Sequence, residues 1–342
     1  MNQTLPTIRE KQQISAETLK RQVIPSAILA PSAHNTQPWR FRTSTNTLEV
    51  FVDWDRHLKV SDPDLRQLYV SIGCAITNVL VAAKYWGSDT TVKYFPQGEG
   101  KEKPVVKISF SAQEGTEHAN HDSETGELFA AIEHRHTNRS DFDKEMLSEK
   151  EQKEVLADTD TEVTQLVSDK EKINEIAKLS EEGTFSTLSR KDFKEELSHW
   201  VRNSWTQQHD GMPGYAMGIP APLSLMAPIM VRVAPIHIQE APKTKQQVAT
   251  SSALAVFATK GDTITDWLHA GEELQRVWLN ATAAGLAAMP VVASVEAGDK
   301  FRSRLGKISD TGLYPQSLLR IGHASNSKLR ATPRRTLEEC VS

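Results

Sequence analysis

The stretch Pro31-Ser32-Ala33-His34-Asn35-Thr36-Gln37-Pro38-Trp39 sets four hydrogen-bonding side chains, Ser32, His34, Asn35 and Gln37, between two prolines and a tryptophan. Proline fixes its own φ, so the polar row is held in a defined shape. Such a row can meet the hydroxyls and ring carbonyls of a polar cofactor. It can also be a polar turn from helix to strand. A second stretch, Arg135-His136-Thr137-Asn138-Arg139, carries two guanidinium groups and a hydroxyl at alternate positions. In extended chain, residues i, i+2 and i+4 point to one side, and guanidinium forks beside a hydroxyl suit a phosphate. Taken alone, a basic pentapeptide also reads as a solvated turn. A third stretch, Gly285-Leu286-Ala287-Ala288-Met289-Pro290-Val291-Val292-Ala293, reads on its own as a helix end leading into a strand. Pro333-Arg334-Arg335 lie near the end of the sequence.

The remaining reactive side chains offer less. His118 and His121 fall in an acidic stretch, where a metal site is the weaker reading; no metal is expected. His134 and His136 flank the arginines and read as structural or solvent-facing, which leaves His34 as the histidine placed for function. The spacing shows no Ser-His-Asp set, no Gly-x-Gly-x-x-Gly and no phosphate loop of the Gly-x-x-x-x-Gly-Lys type. Cys74 and Cys340 make no metal-type spacing, and two lone thiols suit a reducing cytoplasm.

Elements that could position these residues follow from periodicity. Ser15 is placed to cap a helix bearing Leu19, Val23 and Ala27 on one face, with a kink or restart at Pro25. Leu48, Val50 and Val52 alternate as in a strand. Leu68 to Trp86 has helical spacing, and Gly87 is placed to end that helix. Strands are expected around 92–95 and 105–110. Residues 112–126 are acidic and polar and read as a solvated linker. Ser148 with Glu151, Ser168 with Glu171 and Thr263 with Asp266 resemble capping boxes. Thr263 opens a long helix carrying Trp267, Leu274, Val277 and Trp278. Residues 203–235, rich in Pro, Gly and Met, read as a long flap, and strands are expected at 229–233, 254–259 and 317–321. One weak repeat stands out: Gly73–Gly87 and Gly271–Gly285 have the same length and character.

The chain has 342 residues, enough for one large or two moderate domains, with 38% hydrophobic and 25% charged residues and a net charge of -4. That balance gives no electrostatic case for a nucleic-acid partner. No run approaches roughly 18 consecutive apolar residues, so no membrane span is expected. The polar residues 1–15 lack the apolar core of a signal peptide.

The Ala-Pro-Ser-Ala-His-Asn-Thr-Gln-Pro-Trp segment resembles the signature of the nitroreductase superfamily. Its His-Asn form is similar to the Acg-like branch, whose members fuse two nitroreductase domains in one chain. The resemblance implies an α+β fold. Two related half-domains, 1–126 and 127–342, each hold a mixed or antiparallel sheet flanked by helices and pair as an intramolecular pseudo-dimer. It implies FMN as cofactor. The FMN contacts would come from Pro31, Ser32, His34, Asn35 and Gln37. The family's Arg-x-Ser-x-Arg phosphate segment maps onto Arg135, Thr137 and Arg139, with Thr replacing Ser. Its terminal basic residues map onto Arg334 and Arg335, and its Gly-Leu-…-Pro stretch onto Pro290, Val291 and Val292. There the Val292 N–H is the candidate donor toward flavin N5.

By the same resemblance the chain would pass hydride from NAD(P)H through the flavin to a quinone- or nitro-type acceptor, as a monomer with an internal pseudo-dimer or a weak homodimer. No acid–base side chain is needed for hydride transfer, so no catalytic side chain is expected. In family homodimers the loop comes from one subunit and the phosphate arginines from the other. Here each occurs once, in opposite halves. Only Thr7-Ile8-Arg9-Glu10-Lys11 stands where the first half would carry its own phosphate motif, and no second Pro-Trp loop follows Arg139. One intact site and one lost site result, the lost one open to being filled by the 203–235 flap. Another reading is a flavin-sequestering stress protein in which that flap is a lid over the site.

Overall fold

The computed structural model describes residues 15–112, 123–143, 145–324 and 329–341. Thr7–Lys11, His118 and His121 lie outside them.

Two sheets organise the chain. In the first, β1 (Trp39–Ser44), β2 (Thr47–Val52), β3 (Ser88–Tyr94) and β4 (Val106–Ala112) run in the order β1-β2-β4-β3 with every pair antiparallel. The second half opens with β5 (Thr164–Val167), followed by the two-residue strands β6 (Val201–Arg202) and β7 (Met212–Pro213), which pair in parallel. Then come β8 (Ala253–Thr259), β9 (Ala287–Pro290) and β10 (Tyr314–Gly322). Their order, β5-β8-β10-β9, again wholly antiparallel, repeats the first sheet position for position. The halves differ between their first two strands. A two-residue turn joins β1 to β2, whereas helices Lys170–Ser189, Lys191–Trp200 and His237–Ala249 stand between β5 and β8.

The repeat of small-residue helices is real and central. Helix Arg66–Tyr85 connects β2 to β3, and helix Ile264–Ala283 connects β8 to β9. The two pack against each other at Gly73 and Gly271. A Cβ on Gly73 would stand 2.1 Å from the Leu268 carbonyl oxygen, and one on Gly271 2.1 Å from that of Val70. Only glycine permits this backbone-to-backbone approach. Across the seam the Gln275 amide donates to Asn78 Oδ1 at 2.7 Å and the Thr77 hydroxyl donates to the Glu272 carbonyl at 2.9 Å. Both helices end before a glycine of positive φ, Gly87 at 71° and Gly285 at 75°, which satisfies their last carbonyls.

Helix Arg66–Tyr85 is more apolar than the sequence reading allowed. By length and composition it is apolar enough to cross a membrane, yet 83% of its most apolar stretch is buried inside the protein. Its apolarity serves a core shared by both sheets, which includes Ile72, Ile76, Phe257 and Trp278.

Other local readings divide. Ser15 caps its helix through Thr18 N, and a wide π turn, Leu19–Val23, precedes Pro25, which begins a new α turn. Proline has no N–H for the carbonyl four residues back, and the wide turn absorbs that loss. Ser148–Glu151 and Thr263–Asp266 form full capping boxes. Ser168 does not cap; Asp169 does, through Lys172 N, because its carboxylate is one residue nearer the helix start. Helix Ser123–His134 begins inside the expected linker and contains the expected boundary at 126. The expected strand at 229–233 is a helix, Ala227–Val233, with Pro228 in its first turn. Pro suits that position, and the short strand nearest to it, β6, is already paired with β7. The flap is more regular than expected, with a 3₁₀ turn Gly214–Met217 and helix Ala221–Ser224 as well.

Candidate functional site

The loop after helix Ile24–Ile28 is under backbone strain. His34, Asn35 and Gln37 all have positive φ, at 49°, 56° and 53°. Each such non-glycine residue costs about 1–2 kcal/mol, and strain of this kind persists where the surroundings over-determine it. Here the surroundings are visible. Ser32 Oγ accepts from Gln37 N at 2.9 Å. Asn35 Nδ2 donates to the Gly211 and Pro333 carbonyls at 2.9 and 3.0 Å, and Asn35 Oδ1 accepts from Arg334 Nη1 at 2.9 Å. Gln37 Nε2 donates to the His209 carbonyl at 2.8 Å, and Gln37 Oε1 accepts from Arg335 N at 2.8 Å.

Three distant segments converge on one main-chain oxygen. The Leu29 carbonyl accepts from Arg135 Nη2 at 3.1 Å and from Arg334 Nη2 at 3.5 Å. Arg135 also lies over the Trp278 ring, 4.3 Å from its centre. Arg139 Nη1 donates to the Ala216 carbonyl at 2.9 Å. Together they border a cavity of about 410 Å³ lined by Pro31, Ser32, His34, Asn35, Arg135, Thr137, Arg139 and Arg334. That volume is in the range of small-molecule sites, about 300–1,000 Å³.

The electrostatics of this cavity are one-sided. Among the described residues no carboxylate lines it; Glu240 acts on Arg139 from outside the cavity. Burial, with Arg334 close by, brings the Arg135 guanidinium down to about 9, and burial brings Arg334 down to about 10. Burial lowers Arg139 as well. The buried Nε atoms of Arg135 and Arg334 have no hydrogen-bond partner. His34 is different in kind. Burial lowers it to about 4, so it is neutral near pH 7, and its buried Nδ1 has no partner either. The cavity thus offers fixed positive charge at the arginines and an uncharged polar group at His34.

The third stretch joins the second. Thr137 forms a parallel bridge with Ala288, and Asn138 N donates to the Ala288 carbonyl at 3.0 Å. Pro290 follows at the end of β9, but Pro290, Val291 and Val292 do not line the cavity. Val291 N donates to the Leu318 carbonyl at 2.8 Å, and Val292 caps helix Ala293–Glu296. Gln37 and Arg335 also stand apart from the cavity. Gln37 is fully buried in the bonds already given, and Arg335 pairs with Asp53 at 3.0 Å.

The far wall is formed by Met212, Tyr215 and Met217 of the flap, which the sequence reading offered as a lid, together with Lys243, Arg330 and Thr332, which it did not single out. The flap lies over the loop 31–37. Its Pro-Gly-Met composition marked it as unusual, but nothing in the sequence says which loop it covers. The role of the Leu29 carbonyl had no sequence signal at all, because any residue could supply it.

No protein-family model matches the chain. Two relatives from Mycobacterium tuberculosis H37Rv carry the name "Putative NAD(P)H nitroreductase". Rv3131 is 28% identical over 332 residues, covering 95% of this chain and 91% of its own. Acg is 27% identical over 325 residues, covering 92% of each. A solved structure, the FMN-dependent nitroreductase NfnB from Mycobacterium smegmatis in complex with NADPH, is 16% identical with a TM-score of 0.39. It aligns with 63% of this chain and 97% of its own length. The chain is thus similar along nearly its whole length to relatives that bear the nitroreductase name, Acg among them, and it carries the Pro-Ser-Ala-His-Asn loop.

Proposed function

We propose that this chain is an FMN-dependent NAD(P)H oxidoreductase of the nitroreductase type, reducing a quinone- or nitro-type acceptor. One observation carries the reading. Arg135 and Arg334 share the Leu29 carbonyl in a cavity with Arg139, and among the described residues no carboxylate pairs with any of the three. Clustered, poorly solvated cations without a counter-ion cost several kcal/mol. A phosphate monoester answers them, with two negative charges and three acceptor oxygens. FMN ends in such a group.

The residues divide by chemistry. Arg135, Thr137, Arg139 and Arg334 would hold the phosphate. Ser32, Asn35 and the neutral His34 suit the uncharged hydroxyls and ring edge, with Pro31 packed beside them. Pro290, Val291 and Val292 lie outside the cavity, so a role for the Val292 N–H as donor toward N5 rests on the family resemblance alone. FMN, when bound, supplies the redox chemistry, and the protein binds and orients it. The matching strand orders and the Gly73–Gly271 seam support reading the two halves as an intramolecular counterpart of a homodimer with one intact site. In the second half, residues 156–163 occupy the place of the loop 31–38 and contain neither proline nor tryptophan.

The absorbance spectrum of the purified protein tests the first step. A preparation that is colourless and stays so after incubation with FMN refutes the reading. Turnover is tested by anaerobic mixing of the flavin-loaded protein with NADPH and with NADH. A second reading, flavin sequestration with little turnover, is favoured by the flap, which is pinned over the loop by Asn35–Gly211, Gln37–His209 and Arg139–Ala216. Bleaching by a nicotinamide supports the enzyme. Reduction by dithionite but by neither nicotinamide supports sequestration.

A further inference from the structure

The flap has a second surface that the cavity does not use. Leu223, Leu225, Met226, Ile229, Met230 and Val233 are between 51% and 68% exposed. Ile238, at 61%, continues the face, beside Phe185 packed on His237 at 4.8 Å between ring centres. Trp205 extends it at the other end, where Ser204 N donates to Ser224 Oγ at 2.9 Å. Most of the large exposed hydrophobic side chains among the described residues thus fall on one short segment. Isolated exposed leucines are ordinary, but a contiguous patch of several hundred Å² marks an interaction site.

We propose that this face is an interface between two copies of the chain. The area fits. If each of these side chains keeps roughly 100 Å² in water, the patch offers about 700–900 Å², and a standard stable interface takes about 800 Å² from each partner. The composition fits, since Met, Trp and Phe are enriched and charge is depleted at interface centres. Across residues 219–238 Arg232 is the one Lys, Arg, Asp or Glu. Arg232 pairs with Glu195 at 2.9 Å, and both stay largely exposed. A two-fold arrangement brings the same patch of each copy together, so the Arg232 of one copy can meet the Glu195 of the other at the rim. The charges argue against a lipid surface. The chain is net negative, and the neighbouring helices mix Asp192, Glu195, Glu196 and Glu240 with Lys191, Lys194, Lys243 and Lys245, without the basic excess that an anionic membrane requires.

The interface has a consequence for the cavity. The segment that carries the apolar face also supplies Met212, Tyr215 and Met217 to the cavity wall. Pairing of two copies would therefore brace that wall. This inference stands on the exposed face and does not require the flavin reading.

Sedimentation velocity on the full chain, from low to high micromolar, tests it. The wild type should sediment as a dimer. Ile229→Glu with Met230→Glu should raise the dimer Kd by at least about 100-fold with an unchanged circular dichroism spectrum. Leu223→Ser with Val233→Ser is a milder pair on the same face, in case the glutamates disturb folding, and should weaken the dimer to a smaller degree. A wild type that stays monomeric throughout, or a dimer that neither pair weakens, overturns the proposal. A monomeric wild type that floats with phosphatidylcholine–phosphatidylglycerol vesicles assigns the face to lipid instead.

Discussion

Arg334 and Arg335 are neighbours in the chain, and the fold gives them opposite surroundings. Arg335 turns toward a closed ion-pair network. It meets Asp53 at 3.0 Å and donates to the Gln37 and Trp39 carbonyls, while Arg56 joins Asp53 to Asp210 and Arg202 closes on Asp210 at 2.8 Å. Arg334 turns the other way, into the cavity with Arg135 and Arg139, where no carboxylate stands. Successive residues of extended chain face opposite sides, so one step in sequence separates a cation that holds the protein together from one that has no partner charge. The network ties the flap to the first half through Asp210. The cavity cluster ties nothing by charge. The first set is complete without a ligand, and the second is not.

The strongest way to break this comparison is to remove each arginine without its ligand present. Arg335→Met leaves Asp53 buried beside an incomplete network and should destabilise the protein by about 3–5 kcal/mol, a fall in Tm of roughly 4–7 °C for a chain of this length. Arg334→Met removes a charge that has no counter-ion but also the donor to Asn35 Oδ1, and should cost about 1–2 kcal/mol of apo stability, less than Arg335→Met. Equal losses in thermal denaturation would mean that the two arginines do the same work. For FMN the ranking reverses. Arg334→Met and Arg135→Met should each weaken binding by about 1.5–3 kcal/mol, the size of a charge-assisted contact. Fluorescence titration measures this, and unchanged affinity in Arg135→Met removes the phosphate assignment. Inorganic phosphate offers a ligand with no flavin ring. At about 100 times its Kd it should stabilise the apo wild type by about 2.7 kcal/mol, while the same ionic strength of chloride should not. Arg135→Met should lose most of this gain.

How far the sequence reaches is visible in the same residues. The loop 31–35, Arg135–Arg139 and Arg334 were legible because their chemistry is in their side chains, and the structure brings them to one cavity; the 285–293 stretch, whose role would be main-chain, lies outside it. The central helices were legible because burial enforces a period and Gly87 and Gly285 mark their ends. Arg335 and Gln37 were not separable from the cavity residues, because a side chain's facing depends on a backbone path set by distant contacts. Gln37 shows the mechanism: its left-handed φ is held by Ser32 and the flap, and it turns the amide away from the cavity. The 229–233 helix shows another limit. Ile-Met-Val-Arg-Val has the residues of a strand, but strand preference is realised only against a neighbouring strand, and pairing is a tertiary fact.

The smallest expected effect sharpens the comparison by applying its rule to acids. Glu272 is packed against the central helix seam, with the Tyr94 hydroxyl donating to its carboxylate at 2.7 Å and no cation paired with it among the described residues. Burial, set against that hydrogen bond, pushes it up to about 7 from an ordinary 4.5. The folded state therefore holds this proton more tightly than the unfolded chain. Its contribution to stability is greatest below about pH 4.5, falls as the pH rises toward 7, and is flat above that. Glu296 at about 7 and Asp62 at about 6, both raised by burial, slope the same way. His34, lowered by burial to about 4, slopes oppositely between about 4 and 6.5. Glu272→Gln keeps the acceptor for Tyr94 and removes only one of these slopes, so comparing variant with wild type cancels the rest. Urea denaturation at about pH 5 and about pH 8 should show the variant gaining on the order of 1–2 kcal/mol more at the higher pH. A difference that does not change with pH would mean that the Glu272 carboxyl is neutralised by its surroundings, as Asp53 is by Arg335. The unpaired state would then be peculiar to the arginines of the cavity.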